Sequence, residues 1–328
     1  MIYRKGAEME KQPLLSICIP TCNRAEYLKN CLDSLVQQPE FFTEAVEIVI
    51  SDNASTDDTK QIGEKYAAEY EAVHYFRNEK GIDDRNFPVV LSRANGVLRK
   101  LINDSLVFRP GSISYMCDMA RKYSEKKPHL FFLNSREQDS FRYRDRIVDF
   151  EHFMRQISFY ATWIGSFAAW DTECENVEAD IAGCEMKLWQ VWKLCRLFEE
   201  KNSGVVLYRN IVNSQPMKNK LITYDYDQVF YKNFLALLEP SIEKGLLSRD
   251  CREKLEKDLL YRFFTGWMTN WELNSPQYTF TQNKDFKQKI LDIYKDKPYY
   301  RRYLYYYKFR LFLTRSRLYV QAKRGKKH

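Results

Sequence analysis

The sequence predicts an α/β fold, with a mostly parallel sheet flanked by helices over the first two-thirds of the chain and a helical region after it. Three observations carry this. From Leu14 onward, short apolar runs alternate with stretches of helical periodicity. The runs close on polar residues that packing does not require. Beyond Thr223 the alternation gives way to long helical patterns. Alternation of this kind argues for parallel strands joined by right-handed crossovers, in the Rossmann-like manner.

Taken in order, residues 14–20 (LLSICIP) read as a buried strand running into Thr21. From Ala25, the apolar residues Leu28, Cys31, Leu32 and Leu35 recur at helical spacing. Residues 46–50 make a second buried strand, closing on Ser51-Asp52-Asn53. Ser55 or Thr56 in the following turn is placed to cap a helix that carries Ile62, Tyr66, Ala67 and Tyr70. Residues 73–76 make a third strand, 86–94 a short helix, and 97–102 a fourth strand ending at Asn103-Asp104-Ser105. Pro110-Gly111-Ser112 opens a helix carrying Ile113, Met116, Ala120 and Tyr123. Residues 130–133 (LFFL) form another strand, 160–170 read as strand and loop, and 184–198 as one helix anchored by Leu188, Trp189 and Trp192. Helices at 226–238, 249–271 and 285–294 complete the pattern, which places a catalytic domain at 13–222 and a helical region at 223–328.

Composition removes several classes. The chain has 328 residues, 45% hydrophobic and 29% charged, which is ordinary globular material without repeats. No apolar run approaches the roughly 20 residues needed to span a bilayer. The opening MIYRKGAEMEKQP lacks a signal-peptide core, so a cytosolic protein is expected. The eight cysteines show no CxxC pair and read as free thiols. The net charge of +8 is local: from Lys297 onward there are eleven Lys and Arg and no acid, leaving −3 (8 − 11) for the rest. A missing GxGxxG and a missing GxxxxGK[ST] exclude the dinucleotide and P-loop phosphate cradles. Four histidines without an HExxH pair argue against a histidine-held metal.

Open α/β sheets bind ligands at the carboxyl ends of their strands. Those ends here supply Thr21, Asn23, Arg24, Asp52, Asn53 and Asp104. The set suits a nucleotide-sugar. Asp52 can accept hydrogen bonds from base or ribose, Arg24 can meet a diphosphate, and Asp104 is the candidate ligand for a divalent metal (Mg or Mn).

The segments SICIPTCNRAEYLKNCLDSL and VEIVISDNASTDDT closely resemble the opening of family 2 glycosyltransferases with the glycosyltransferase A fold. The likeness continues more loosely through Asn78, Gly81, Asn86 and Ala94-Asn95-Gly96 to the Asn103-Asp104-Ser105 turn. It implies that Pro20, Thr21, Asn23 and Arg24 line the nucleotide end of a cleft, with Asp52, Asn53, Asn86 and Asn103 on the same donor side. Asp104 falls where the family places a DxD metal motif, yet it is the one carboxylate of that turn. Weak metal binding and metal-independent transfer assisted by Arg24 are both open.

The resemblance further implies an inverting transfer from a nucleoside-diphosphate sugar to a glycan or polyprenyl-linked oligosaccharide, in bacterial surface polysaccharide assembly. The catalytic base would come from the region before the 184–198 helix, where Asp171, Glu173, Glu175, Glu178, Asp180 and Glu185 crowd together. Asp180 and Glu185 lie nearest the helix start and are favoured in that order, although a carboxylate there also simply complements the helix dipole. Trp163 and Gly165 would meet the acceptor, an aromatic face for a sugar ring and a backbone open to approach.

In the basic tail, Tyr303, Tyr305, Tyr306, Tyr307, Phe309 and Phe312 interleave with Arg301, Arg302, Lys308, Arg310, Arg315 and Arg317. Such a mixture suits an anionic membrane surface. On one helix the basic residues fall on two sides, so packing of this segment on the catalytic domain is the alternative. No nucleic-acid module is visible in the first 220 residues. The rival to an enzyme is an inert paralogue that binds nucleotide-sugar as a scaffold.

Overall fold

A computed structural model describes residues 12–134, 146–216, 220–222, 225–273, 278–280 and 285–325. The strands are β1 (Leu15–Thr21), β2 (Val46–Asp52), β3 (Val73–Arg77), β4 (Leu98–Leu101), β5 (Leu106–Phe108) and β6 (His129–Leu133). They continue as β7 (Ala168–Trp170), β8 (Gly204–Tyr208), β9 (Val212–Ser214), β10 (Lys220–Ile222) and β11 (Tyr278–Phe280). The helices of the first half are α1 (Ala25–Val36), α2 (Glu40–Thr43), α3 (Thr59–Glu69), α4 (Asn86–Ser92), α5 (Ser112–Tyr123) and α6 (Phe150–Ile157). Then come α7 (Val177–Ile181), α8 (Trp189–Glu200), α9 (Phe234–Glu243), α10 (Arg249–Asp258), α11 (Thr265–Glu272), α12 (Phe286–Tyr294) and α13 (Tyr300–Gly325).

The main sheet has the order β3-β2-β1-β4-β7. β1 runs parallel to β2 and β4, and β2 parallel to β3, while β7 closes the edge antiparallel to β4. This is the mostly parallel sheet the alternation predicts. β2 is buried along its whole length and β1 along all but Pro20, which explains their near-continuous apolar runs. β6 and β8 form a parallel pair, β5 and β9 an antiparallel pair.

Several local expectations are corrected. Neither Ser55 nor Thr56 caps α3, which starts at Thr59 without a side-chain cap. Ser55 instead accepts from the Asn23 amide at 2.8 Å. The helix expected over 184–198 is broken: residues 182–186 make a tight 3-10 turn, Lys187 turns left-handed (φ 59°), and α8 begins only at Trp189. Residues 158–166 are 3-10 turns, with strand confined to β7. Helix continues through 249–272 as expected, but with a π turn at Leu259–Phe264, where Thr265 Oγ1 donates to the Leu260 carbonyl at 2.8 Å. The expected boundary at 222/223 falls beside Thr223 and Tyr224, which lie outside the described residues.

One core lies between the sheet and α1 and α5, built from Ile17, Ile48, Leu32 and Met116 among others. A second runs from Phe131 and Phe153 through Phe198 into Phe234, Leu255, Phe264, Ile290 and Tyr303, so one continuous apolar cluster joins the helical C-terminal region to the β6–β8 pair. Trp189 is fully buried in a third cluster beside Val90 and Phe167, a core residue as its helical spacing suggests. All eight cysteines are free, and seven are buried.

At the end of the sheet opposite the polar strand termini, buried Glu47 accepts from the Gly96 amide at 3.1 Å and from the Ser16 hydroxyl at 2.5 Å. A Cβ on Gly96 would lie 2.6 Å from the Ser16 amide nitrogen and 2.9 Å from the Leu15 carbonyl carbon. Backbone cannot yield there as a side chain can, so Gly96→Ala is expected to cost about 1–3 kcal/mol in overpacking. Urea unfolding checks this, and an unchanged midpoint would contradict the packing described.

Candidate functional site

The register of the parallel strands builds the site. Thr21 pairs with Asp52 across β1 and β2, and Asp52 with Arg77 across β2 and β3. The ladder runs on past the strands, with the Asn53 amide donating to the Thr21 carbonyl and the Ile102 amide to the Cys18 carbonyl, both at 2.9 Å. The polar residues after β1, β2 and β4 therefore leave the sheet at one edge.

Asp104 is the centre of that edge. It is 3% exposed, and its Oδ2 accepts from Thr21 Oγ1 and its Oδ1 from Arg24 Nη1, each at 2.9 Å. Arg24 keeps 30% of its side chain exposed beside the buried carboxylate. The structure thus brings together Thr21, Arg24 and Asp104, which are up to 83 residues apart in sequence.

The other residues expected on the donor side hold loops. Asp52 is fully buried, and Oδ1 accepts from the Ser55 amide at 2.9 Å while Oδ2 takes Tyr75 Oη at 2.6 Å and Arg77 Nη1 at 3.2 Å. Burial and the Asp52 charge push the Tyr75 hydroxyl well above its ordinary range. Asn53 Oδ1 accepts from the Ile82 amide at 2.8 Å, pinning the loop after β3. Asn23 sits at φ 53° and accepts from the Thr56 amide at 2.7 Å. Ala54 (φ 57°) and Asp83 (φ 49°) also occupy the left-handed region in these loops, and such conformations persist only where the surroundings over-determine them. Asn86 is buried beneath the site, exchanging bonds with Ser51 (2.6 and 2.8 Å) and accepting from Asn78 (3.1 Å). Pro20 lies half-buried at the end of β1.

On the far side, Asn103 is half-buried, and the turn at Gly165 packs against it. A Cβ on Gly165 would come within 3.0 Å of Leu106 Cδ1 and 3.6 Å of Asn103 Nδ2. Next to this turn Trp163 is 46% exposed and stands edge-on to Tyr160 at 5.2 Å. Donor-side and acceptor-side candidates therefore adjoin.

Asp180 and Glu185 have different settings. Asp180 is buried, with Lys193 Nζ 2.8 and 3.0 Å from its two oxygens and its carbonyl accepting from Trp189 Nε1. Burial raises its carboxyl, and Lys193 pulls in the opposite direction. Glu185 is exposed on the turn before α8.

Two residues escaped sequence reasoning. Gln215 roofs the Asp104 turn, its Nε2 reaching the carbonyls of Tyr27 (3.0 Å) and Asp104 (3.3 Å), and no local pattern marks it. Lys100 is the second. It is wholly buried in β4, with Nζ donating to the carbonyls of Gly165 (2.5 Å), Leu101 (2.9 Å) and Phe167 (3.2 Å), so it ties the Gly165 turn to the sheet. A lysine inside an apolar strand was the available signal.

Burial pushes the Lys100 ammonium down to about 7. Its value in the unfolded chain is about 10.4, so between these limits the unfolded state holds the extra proton and stability rises with pH. The contribution is lost as pH falls toward 7. Lys100→Met is expected to remove a slope approaching 1.4 kcal/mol per pH unit from the wild-type profile. Urea unfolding of both proteins at pH 7 and 8 measures it, and parallel profiles would refute it.

Residues 16–87 match the family model described as Glycosyl transferase family 2. Abequosyltransferase RfbV of Salmonella typhimurium is 45% identical over 85 residues, 25% of each chain. A GalNAc(5)-diNAcBac-PP-undecaprenol beta-1,3-glucosyltransferase of Campylobacter jejuni is 29% identical over 121 residues, 36% of this chain and 37% of that one. The chain thus spans only a quarter to two-fifths of these curated relatives. S. aureus TarS 1–349 in complex with UDP superposes with a TM-score of 0.52 at 18% identity, over 79% of this chain and 74% of that chain, a likeness of fold.

Proposed function

We propose, for a chain whose N-terminal segment is of the family 2 glycosyltransferase type, that it transfers a hexosyl or related sugar from a nucleoside-diphosphate donor to a glycan acceptor. The observation that carries this is the convergence of Thr21, Arg24 and Asp104 beside the Asn103–Gly165 contact. A cationic fork and an acceptor-side turn meet there at the carboxyl edge of a parallel sheet. The UDP and UDP-GlcNAc complexes of TarS make a uridine-diphosphate sugar the first donor to test. The lipid-linked acceptor named for the Campylobacter relative supports a polyprenyl-linked oligosaccharide, within bacterial surface polysaccharide synthesis.

In this reading the Arg24 guanidinium binds the diphosphate, as a fork suited to paired phosphate oxygens. Asn23, Asp52, Asn53 and Asn86 shape the nucleoside end through the loops they hold, with Pro20, Thr21 and Asn103 flanking. The acceptor oxygen attacks the anomeric carbon as the bond to the diphosphate breaks. The electron pair leaves with the nucleotide, the acceptor proton passes to a carboxylate, and configuration inverts. Trp163 and the Gly165 turn receive the acceptor.

A resident divalent metal fits this donor set poorly. Asp104 is the one carboxylate of its turn and already receives Arg24 and Thr21. Among the described residues no three His, Cys, Asp or Glu side chains group to hold an ion. No step is therefore routed through a metal. Thermal melting with UDP is expected to show the same stabilisation in EDTA as in manganese, with Arg24→Ala weakening UDP about tenfold or more, the size of a lost charged hydrogen bond. A shift seen only with manganese would assign the phosphate charge to a metal.

For the base we favour Glu185, which is exposed, over Asp180, which Lys193 already claims. Glu185→Gln is expected to lower transfer about 10²–10⁴-fold with UDP binding intact. Asp180→Asn, by contrast, is expected to lower the melting temperature. Wild-type protein that binds UDP-sugar but releases no sugar would instead favour the inert scaffold.

A further inference from the structure

α13 spans Tyr300–Gly325, about 39 Å at 1.5 Å per residue. One side of its first turns is fastened to the protein. Tyr303 is fully buried, its hydroxyl 3.0 Å from Thr265 Oγ1, and Tyr307 donates to Glu272 at 2.9 Å. The opposite side is a strip of exposed rings. Tyr305 (77% exposed), Phe309 (59%), Phe312 (64%) and Tyr319 (62%) follow one another at spacings of four, three and seven residues, which keeps them on one face. At about 100° per residue, Arg301, Lys308 and Arg315 line one side of this strip and Arg302 stands on the other, while Arg310 and Arg317 lie farther round, toward the packed side of Tyr303. All six are exposed. The aromatic strip thus has basic flanks, and the helix contains no acid.

We propose that this face docks on an anionic lipid bilayer, the helix lying in the interface with its rings in the headgroup layer. Charge complementarity selects this occupant. A second copy of the helix would set basic flank against basic flank with no carboxylate on either helix to pair them. A bilayer answers both features at once, taking up the rings and meeting Arg301, Arg302, Lys308 and Arg315 with phosphate. The helix is not long and apolar enough to cross a membrane.

The docking face is also coupled to the acceptor side. Tyr261 packs on Tyr303 and Tyr306 at 5.1 Å, while its neighbour Arg262 covers Phe159 and Tyr160, the ring against which Trp163 stands. One π turn therefore holds α13 with one residue and the Trp163 cluster with the next. The surface itself rests on the helix and not on the sugar-transfer reading.

The test is co-sedimentation of the full chain, without donor or acceptor, with phosphatidylcholine vesicles and with vesicles containing about a third phosphatidylglycerol. Binding is expected only to the anionic vesicles and to weaken with salt. The pair Phe309→Ser and Phe312→Ser is expected to weaken it at least tenfold, as is the triple Arg301→Gln, Arg302→Gln, Lys308→Gln. These side chains are exposed, so melting temperature and UDP binding should stay at wild-type values. Equal binding to both vesicles, no binding, or binding untouched by either variant would overturn the proposal. So would a dimer in solution abolished by the Phe pair, or tighter binding to single-stranded RNA than to anionic vesicles.

Discussion

The pairing of β1 with β2 on one side and β4 on the other, all parallel, is the constraint on which the rest depends. Parallel pairing brings the carboxyl ends of three strands to one edge, and the residues there include Thr21 and Arg24, Asp52, and Asp104. A parallel sheet also demands cover on both faces, which explains why β1 and β2 are largely apolar on both sides and why a cluster of polar residues gathers where the strands stop.

Lys100 and Glu47 are ionisable side chains buried inside the sheet, and each has partners. Lys100 finds three carbonyls, two of them in the turn at Gly165, and Glu47 holds the 95–96 turn at the other end. An unpaired polar group in such a place would cost about 1–3 kcal/mol, so these bonds fix a loop as well as a buried polar group. The same reasoning covers Asp52, whose shell of Ser55, Tyr75 and Arg77 makes it a keystone of the loop after β2.

The helical C-terminal region continues the interior of the α/β part, because the apolar cluster that begins at Phe131 reaches Tyr303 without interruption. Packing of this kind orients α13, so that Tyr303 and Tyr307 go inward and Phe309 and Phe312 outward. Tail composition shows an aromatic and basic segment; only packing decides which rings remain outside.

The sequence by itself determined the order of β1, α1, β2, α3, β3, α4, β4 and α5, though not the short α2 and β5 between them, together with the parallel sheet and the polar residues at its carboxyl edge. These follow from local periodicity and from residue types adjacent in the chain. Tertiary structure alone decided the partners. Arg24 meets Asp104 across 80 residues, Gln215 reaches the same turn across 111, and Lys193 claims Asp180 from the next helix. The break at Lys187 and the 3-10 turns over 158–166 belong to the same class, since long-range packing set them against helical or strand patterning. Periodicity reports which face of an element is buried, and the identity of a polar partner depends on which distant element covers it.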